Sequence, residues 1–322
     1  MKENKSTIIG FVLMTLVFVG YMFYANYQAE KQQEAQTAAQ IEQLAEQASK
    51  ALDTPAEDAV SGATQTEKKG DNASKLVGDA EKVEEVVVEN DVMQVRFSTL
   101  GAQILDVTLK NYTKYAPKEE RNELVHLFDP ESAYFNMSYY LKDNLRTTEM
   151  STVYRNFELL PVEELGNKTV VTMRLPIGEG SIEHIYTLYN EQKPERDYLV
   201  DFEVKLNDLA PMMANQKSIS VEWRNRSYQN ERSFKNENMY TTLVYHFPGE
   251  GDVEDLGISE SIKNKDVAAS VDWVSFKQQF FSSIMIAPDG FSNGEVGFDT
   301  YKPGTAYIKD YYASVTVPFD YE

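Results

Sequence analysis

No cysteine occurs in the 322 residues. That absence excludes disulfides, thiolate catalysis, cysteine-ligated zinc and any lipid anchor carried on cysteine. An exported domain of this chain therefore rests on its hydrophobic core alone. Histidine is nearly as scarce. His126, His184 and His246 are far apart and show no H-E-x-x-H or similar ligand spacing. Hydrogen-bonded core or edge positions are the default reading for them, and no metal site is expected. Basic residues are in deficit, 31 against 51 acidic, for a net charge of −20. A nucleic-acid partner, which needs a basic surface against phosphates, is excluded. The acidity reads as solubility through self-repulsion. No G-x-S-x-G elbow is present, and Gly178-Glu179-Gly180 and Gly249-Glu250-Gly251 lack the third glycine of a dinucleotide fingerprint. Carboxylates are so abundant that pairing any two as acid and base would be arbitrary. The expectation is a protein that is not an enzyme, with no catalytic residues and no cofactor.

Long hydrophobic runs are missing too, with one exception. Ile8 to Tyr24 reads IIGFVLMTLVFVGYMFY, about 17 uncharged residues, at the lower end of what crosses a hydrocarbon core. A secretory signal would carry a shorter apolar region followed by a small-x-small cleavage site. Ala25 and Ala29 have Phe23 and Tyr27 two residues before them, so neither offers that pattern. Tyr21, Tyr24 and Tyr27 gather at the end of the run, where aromatic rings favour the membrane–water interface. The reading is an uncleaved anchor in the lipid bilayer. Lys2 and Lys5 precede it and the next positive charge is Lys31, so the positive-inside rule puts the N-terminus in the cytoplasm and the remainder outside. Gly10 and Gly20 are too far apart for a G-x-x-x-G dimer face.

Aromatic residues are absent from Gln28 to Arg96. The part up to Leu52 is rich in strong helix formers, with Ile41, Leu44, Ala48 and Leu52 at helical spacing. The apolar seam does not persist for the three or four heptads a coiled coil needs, so a solvated, partly helical stalk is expected. Asp53 to Lys82 mixes glycine and proline with polar and charged residues and cannot bury enough apolar area to offset chain entropy. It reads as a flexible linker that lets a folded domain stand off from the membrane.

From Val86 the pattern changes. Leu105, Val107 and Leu109 alternate with Asp106, Thr108 and Lys110, and Val200, Phe202, Val204 and Leu206 alternate with Asp201, Glu203 and Lys205. Strands with one buried and one wet face read this way. Met93–Phe97, Thr169–Leu175, Ile182–Tyr189, Ile219–Trp223 and Leu243–Phe247 are similar runs. Turn signals at Pro176-Ile177-Gly178, Gly178-Glu179-Gly180, Pro248-Gly249 and Pro303-Gly304 separate them. Twenty tyrosines and 16 phenylalanines suit pleated surfaces. The expectation is an all-β fold, an antiparallel sandwich. No fixed repeat indicates a propeller. The implied organisation is a cytoplasmic N-terminus over 1–7, a transmembrane anchor over 8–25, a helical and disordered linker over 26–85, and a β-sandwich domain over 86–322.

One segment concentrates aromatics: Asp272 to Pro288, DWVSFKQQFFSSIMIAP. Trp273, Phe276, Phe280 and Phe281 lie close together, with Lys277, Gln278 and Gln279 between them. Such density marks either a platform for a hydrophobic partner or a core element with a polar edge. Side-chain physics alone favours the core.

Taken together, the lysine-flanked anchor, the Gln/Glu/Ala-rich tether, FSTLGAQILDVTLKNY at Phe97–Tyr112, and above all Trp273, Lys277, Gln279, Phe280 and Phe281 in the pattern W-x-x-x-K-x-Q-[FY]-F resemble the YidC-type membrane protein insertases. The resemblance spans essentially the whole chain. It implies a periplasmic β-supersandwich, a fold shared with galactose mutarotases and used without their activity. It further implies a bacterial inner-membrane protein that helps nascent membrane proteins insert and fold, alone or with Sec translocon components. The family's five-helix insertase core should follow the sandwich, yet no hydrophobic span follows Tyr24. The chain is thus expected to be the anchor and periplasmic portion of a longer protein, ending before the sandwich's closing strands. Two other readings compete. A carbohydrate-binding or mutarotase-like enzyme on the same fold requires a pocket joining His184 or His246 to a carboxylate. A periplasmic efflux adaptor requires a long helical hairpin, for which the helix-forming stretch is too short.

Overall fold

The computed structural model describes residues 83–319, apart from 121, 143–144, 214–215, 250 and 260. The expected anchor, and all but the last residues of the linker, lie outside the described residues. Among the described residues no helix is long and apolar enough to cross a membrane.

The domain is antiparallel β throughout, as the alternation predicts. Strands β1 (Glu85–Glu89), β2 (Met93–Ser98), β3 (Gln103–Thr113) and β4 (Leu124–His126) pair in chain order. β5 (Tyr134–Lys142) and β6 (Thr147–Ser151) form a hairpin, followed by the two-residue strands β7 (Glu158–Leu159) and β8 (Glu163–Glu164). The long hairpin β9 (Lys168–Ile177) and β10 (Gly180–Tyr189) is joined by β11 (Val200–Asn207), giving the order β11-β10-β9-β7 with β8 also against β9. The last eight strands are β12 (Ser218–Tyr228), β13 (Thr242–Phe247), β14 (Asp252–Asp255), β15 (Lys263–Val267), β16 (Val271–Lys277), β17 (Ser282–Phe291), β18 (Gly294–Thr300) and β19 (Tyr307–Pro318). They complete a six-stranded sheet, β15-β18-β19-β12-β5-β6, and a four-stranded sheet, β14-β13-β16-β17.

Inward-facing residues of all four sheets meet in one hydrophobic core. Phe97 of β2 packs on Tyr186 of β10 with centroids 4.8 Å apart, and Phe135 of β5 meets Phe202 of β11 edge-on at 5.5 Å. Such tilted and edge-on contacts suit the ring quadrupoles. Turn chemistry follows the sequence. Gly178, at φ +61°, supplies the left-handed backbone between β9 and β10.

Three local expectations are corrected. The alternation puts Asp106 and Thr108 on the wet face of β3, but both are buried. His126 on β4 lies opposite Thr108, and Asp106 Oδ2 accepts from the Thr108 hydroxyl at 3.2 Å and sits 2.8 Å from His126 Nδ1. That local polar cluster partners Oδ2, while Oδ1 is shielded without a hydrogen-bond partner among the described residues. On β11 the apolar face is only half covered, and Phe202 remains 37% exposed because the strand is an edge. Pro176 lies inside β9, not in the turn. β7 pairs β9 only at Met173 and Arg174, so the missing N–H at Pro176 leaves no gap in that pairing.

Candidate functional site

The aromatic segment forms the β16–β17 hairpin. β16 lies between β13 and β17, and strand alternation sends its residues to opposite faces. Val274 and Phe276 point inward and are buried. Phe276 stacks on Trp223 of β12 (centroids 3.8 Å, 16°) and on Tyr311 of β19 (4.8 Å, 7°), clamping the four-stranded sheet to the six-stranded one. The buried Tyr311 hydroxyl donates to Lys277 O at 2.8 Å, and burial holds its pKa well above the usual phenol range.

Trp273 faces the other way. Direct cross-strand pairing builds one row on the outer face: Val253 of β14, His246 of β13, Trp273 of β16 and Ile286 of β17. The His246 ring lies parallel to the Trp273 indole (5.6 Å, 4°), and His246 Nδ1 is 2.6 Å from Asp272 Oδ1. Ile286 and its neighbour Ile284 are 58% and 52% exposed.

The remaining residues build the turn. Lys277 Nζ donates to Tyr240 O at 2.6 Å, fastening the helix Phe234–Tyr240 to the hairpin at the helix's carbonyl end. Gln278 is buried and accepts from Asn230 Nδ2 at 2.7 Å, while its N–H donates to Phe281 O at 2.8 Å and closes the turn. Beneath it Glu237, buried, accepts from the Asn230 and Glu231 amides at 3.0 Å each, and burial raises its carboxyl pKa. Gln279 Oε1 is shielded from solvent without a hydrogen-bond partner among the described residues. Phe280, at the tip, is 67% exposed, and Phe281 folds back edge-on against Tyr112 at 5.4 Å. The six residues singled out by sequence thus divide. Phe276 is core; Lys277 and Phe281 brace the hairpin; Gln279 sits in the turn with its Oε1 unpartnered; Trp273 and Phe280 reach the surface. Ile284 and Ile286 were not singled out, although their i, i+2 spacing in an aromatic-flanked strand was the available signal.

The histidines do not converge. His184 is fully buried in β10 between Phe157 and Phe202, with Nδ1 3.2 Å from Ala102 O. Burial depresses its pKa to about 4. His246 has a carboxylate partner but lies on the outer face of a different sheet, and His126 on a third. Among the described residues no group of three or more carboxylates and histidines could hold a metal ion.

Residues 85–320 match the family model for the YidC periplasmic domain. Curated relatives include the membrane protein insertase YidC of Bacteroides fragilis, 30% identical over 98% of this chain and 48% of that protein. Those of Phocaeicola vulgatus (28%, 98% and 48%) and Porphyromonas gingivalis (28%, 98% and 49%) are similar. The chain spans about half the length of these relatives. Among solved structures it is similar to a galactose mutarotase-like protein from Lactobacillus casei, with a TM-score of 0.41 and 13% identity over 74% of this chain and 88% of that one. A galactose mutarotase related enzyme from Lactobacillus acidophilus gives a TM-score of 0.34 at 12% identity over 72% and 84%. At these values the likeness carries no argument about activity. The sequence match shows the family: the chain belongs to the YidC family, and residues 85–320 are that family's periplasmic domain.

Proposed function

We propose that this chain is the anchor and periplasmic portion of a membrane protein insertase. In this reading Ile8–Tyr24 crosses the bacterial inner membrane with the N-terminus in the cytoplasm. Residues 26–85 form the tether, and the domain over 86–322 stands in the periplasm. The chain helps integral membrane proteins insert and fold, alone or beside the Sec translocon. It works by contact and placement and performs no covalent chemistry. The observation that carries the proposal is similarity to insertases over 98% of the chain, which takes in the anchor as well as the sandwich. Trp273 and Phe280 are the motif residues with surface to offer a partner.

The test is photo-crosslinking in native membranes from a probe at position 280 of the full-length protein, with a probe at 154, another exposed aromatic position, as control. Nascent membrane proteins or translocon components recovered from 280 and not from 154 are expected. Repeated failure to recover either class sinks the reading.

A further inference from the structure

A β-sheet edge exposes a row of unpaired N–H and C=O groups, and soluble proteins guard such rows with charge, brevity, proline or bulges. Nearly every edge of this domain is guarded. β4, β7 and β8 are two or three residues long. The longer edges read EVVVE (β1), TTEMS (β6), VDFEVKLN (β11), DVED (β14) and KNKDV (β15), each carrying charge. β17 differs. It is the outer strand of its sheet and reads SSIMIAPDGF. Its second half is guarded by Pro288, Asp289 and the register shift opposite Val271 and Trp273. Its first half, Ser282 to Ala287, has neither charge, proline nor bulge.

The register shows which groups are free. The Gln278 N–H to Phe281 O bond makes 278 and 281 face each other across the turn. Antiparallel alternation then turns residues 283 and 285 toward β16, and residues 282, 284 and 286 away from it. Among the described residues no backbone hydrogen bond reaches those three from outside the sheet. Ile284 and Ile286 also hold their side chains on the exposed outer face, beside Trp273.

We infer that the β17 edge is a docking strand that receives an extended apolar segment of a client membrane protein as a fifth strand of the sheet. Its main chain would pair with residues 282, 284 and 286, and its side chains would pack by Ile284, Ile286 and Trp273. The inference rests on the insertase reading for the identity of the occupant. Lipid does not meet the requirement, because acyl chains cannot satisfy N–H and C=O groups. A second copy of the chain carries the same net charge of −20 and is disfavoured by long-range repulsion. A neutral or lysine-flanked apolar strand is favoured by both terms.

The experiment uses the full 322-residue chain in lipid nanodiscs. The probe is a fluorescent ten-residue peptide of alternating valine and threonine with a lysine at each end. A twin peptide is N-methylated at every second residue and so cannot pair along one edge. Saturable binding is expected for the first peptide, with a loss of about tenfold or more for the twin and for Ile284→Lys. Val253→Lys, on the same outer face at the far edge, should bind normally and, with thermal melts, controls for folding. Equal binding of the two peptides, or no effect of Ile284→Lys, overturns the inference. So does a β17-dependent dimer in sedimentation, or Ile284-dependent binding to phosphatidylethanolamine vesicles without peptide. If the peptide fails while position 280 still captures membrane proteins, the edge falls and the insertase reading stands. If the peptide pairs and no membrane protein is captured, the insertase reading and the assignment of the occupant fall together.

Discussion

At the scale of single residues, His184 shows what burial does to an ionisable group. A hydrogen-bonded core or edge position is the default expectation for it, and the structure puts it in the core with one of its two ring nitrogens partnered. Its imidazole has a carbonyl acceptor at Nδ1 and an unpartnered Nε2 enclosed by aromatic rings, so the charged form is strongly disfavoured. The folded-state pKa of about 4 lies below the ordinary 6.5. Protonation therefore favours the unfolded chain: the stabilisation is complete above pH 6.5 and is lost as pH falls toward 4. The depression corresponds to about 3 kcal/mol. Denaturant titrations at a series of pH values should show this acid slope in the wild type and its loss in His184→Phe. A slope unchanged by the substitution would mean that other groups carry the acid sensitivity. Asp106 marks the opposite case, where alternation gave the wrong face. The hydroxyl and imidazole that shelter it come from Thr108 and from His126, 20 residues further along the chain, and periodicity within one strand cannot report a partner on the next.

At the scale of elements, the β16–β17 hairpin explains why a choice between core and platform was ill-posed. A strand has two faces, so a dense aromatic run supplies both. Phe276 is the interior half and Trp273 the exterior half. Phe276→Ala would empty a space between Trp223 and Tyr311 and should cost about 3–5 kcal/mol. Trp273→Ala should cost about 1–2 kcal/mol, since it gives up a partly buried ring and its contact with His246. Equilibrium unfolding of the two variants checks the difference, and equal losses would refute the division of faces. The strands themselves were legible, from Met93–Phe97 to Leu243–Phe247, because side-chain period is a local property. Their order was not. β5 and β12, or β12 and β19, pair across long stretches of chain, and nothing in a single run names its neighbour.

At the scale of the whole molecule, the net charge of −20 acts on every element at once. Ion pairs such as Arg174–Glu183 and Arg226–Asp129 offset it locally and leave a large excess of carboxylate. Raising sodium chloride from about 0.05 M to about 0.5 M shortens the screening length from roughly 14 Å to roughly 4 Å, and should raise the melting midpoint by a few degrees. A midpoint that falls instead would show that the local pairs outweigh the repulsion. Family membership was legible through W-x-x-x-K-x-Q-[FY]-F, although much of that pattern serves folding. Lys277 fastens a helix and Phe281 braces the turn on Tyr112, so a motif can identify a family through the parts that hold the contact surface in place.

The clamp between the two sheets has an optical consequence. The chain has two tryptophans, and they lie on opposite sides of the β14-β13-β16-β17 sheet. Trp223 is sealed inside against Phe276, and Trp273 lies outside beside the free edge. Their emission is therefore separable by a water-soluble quencher, which reaches Trp273 and spares Trp223. One spectrum reports the integrity of the interior, the other the occupancy of the edge, and neither requires a label.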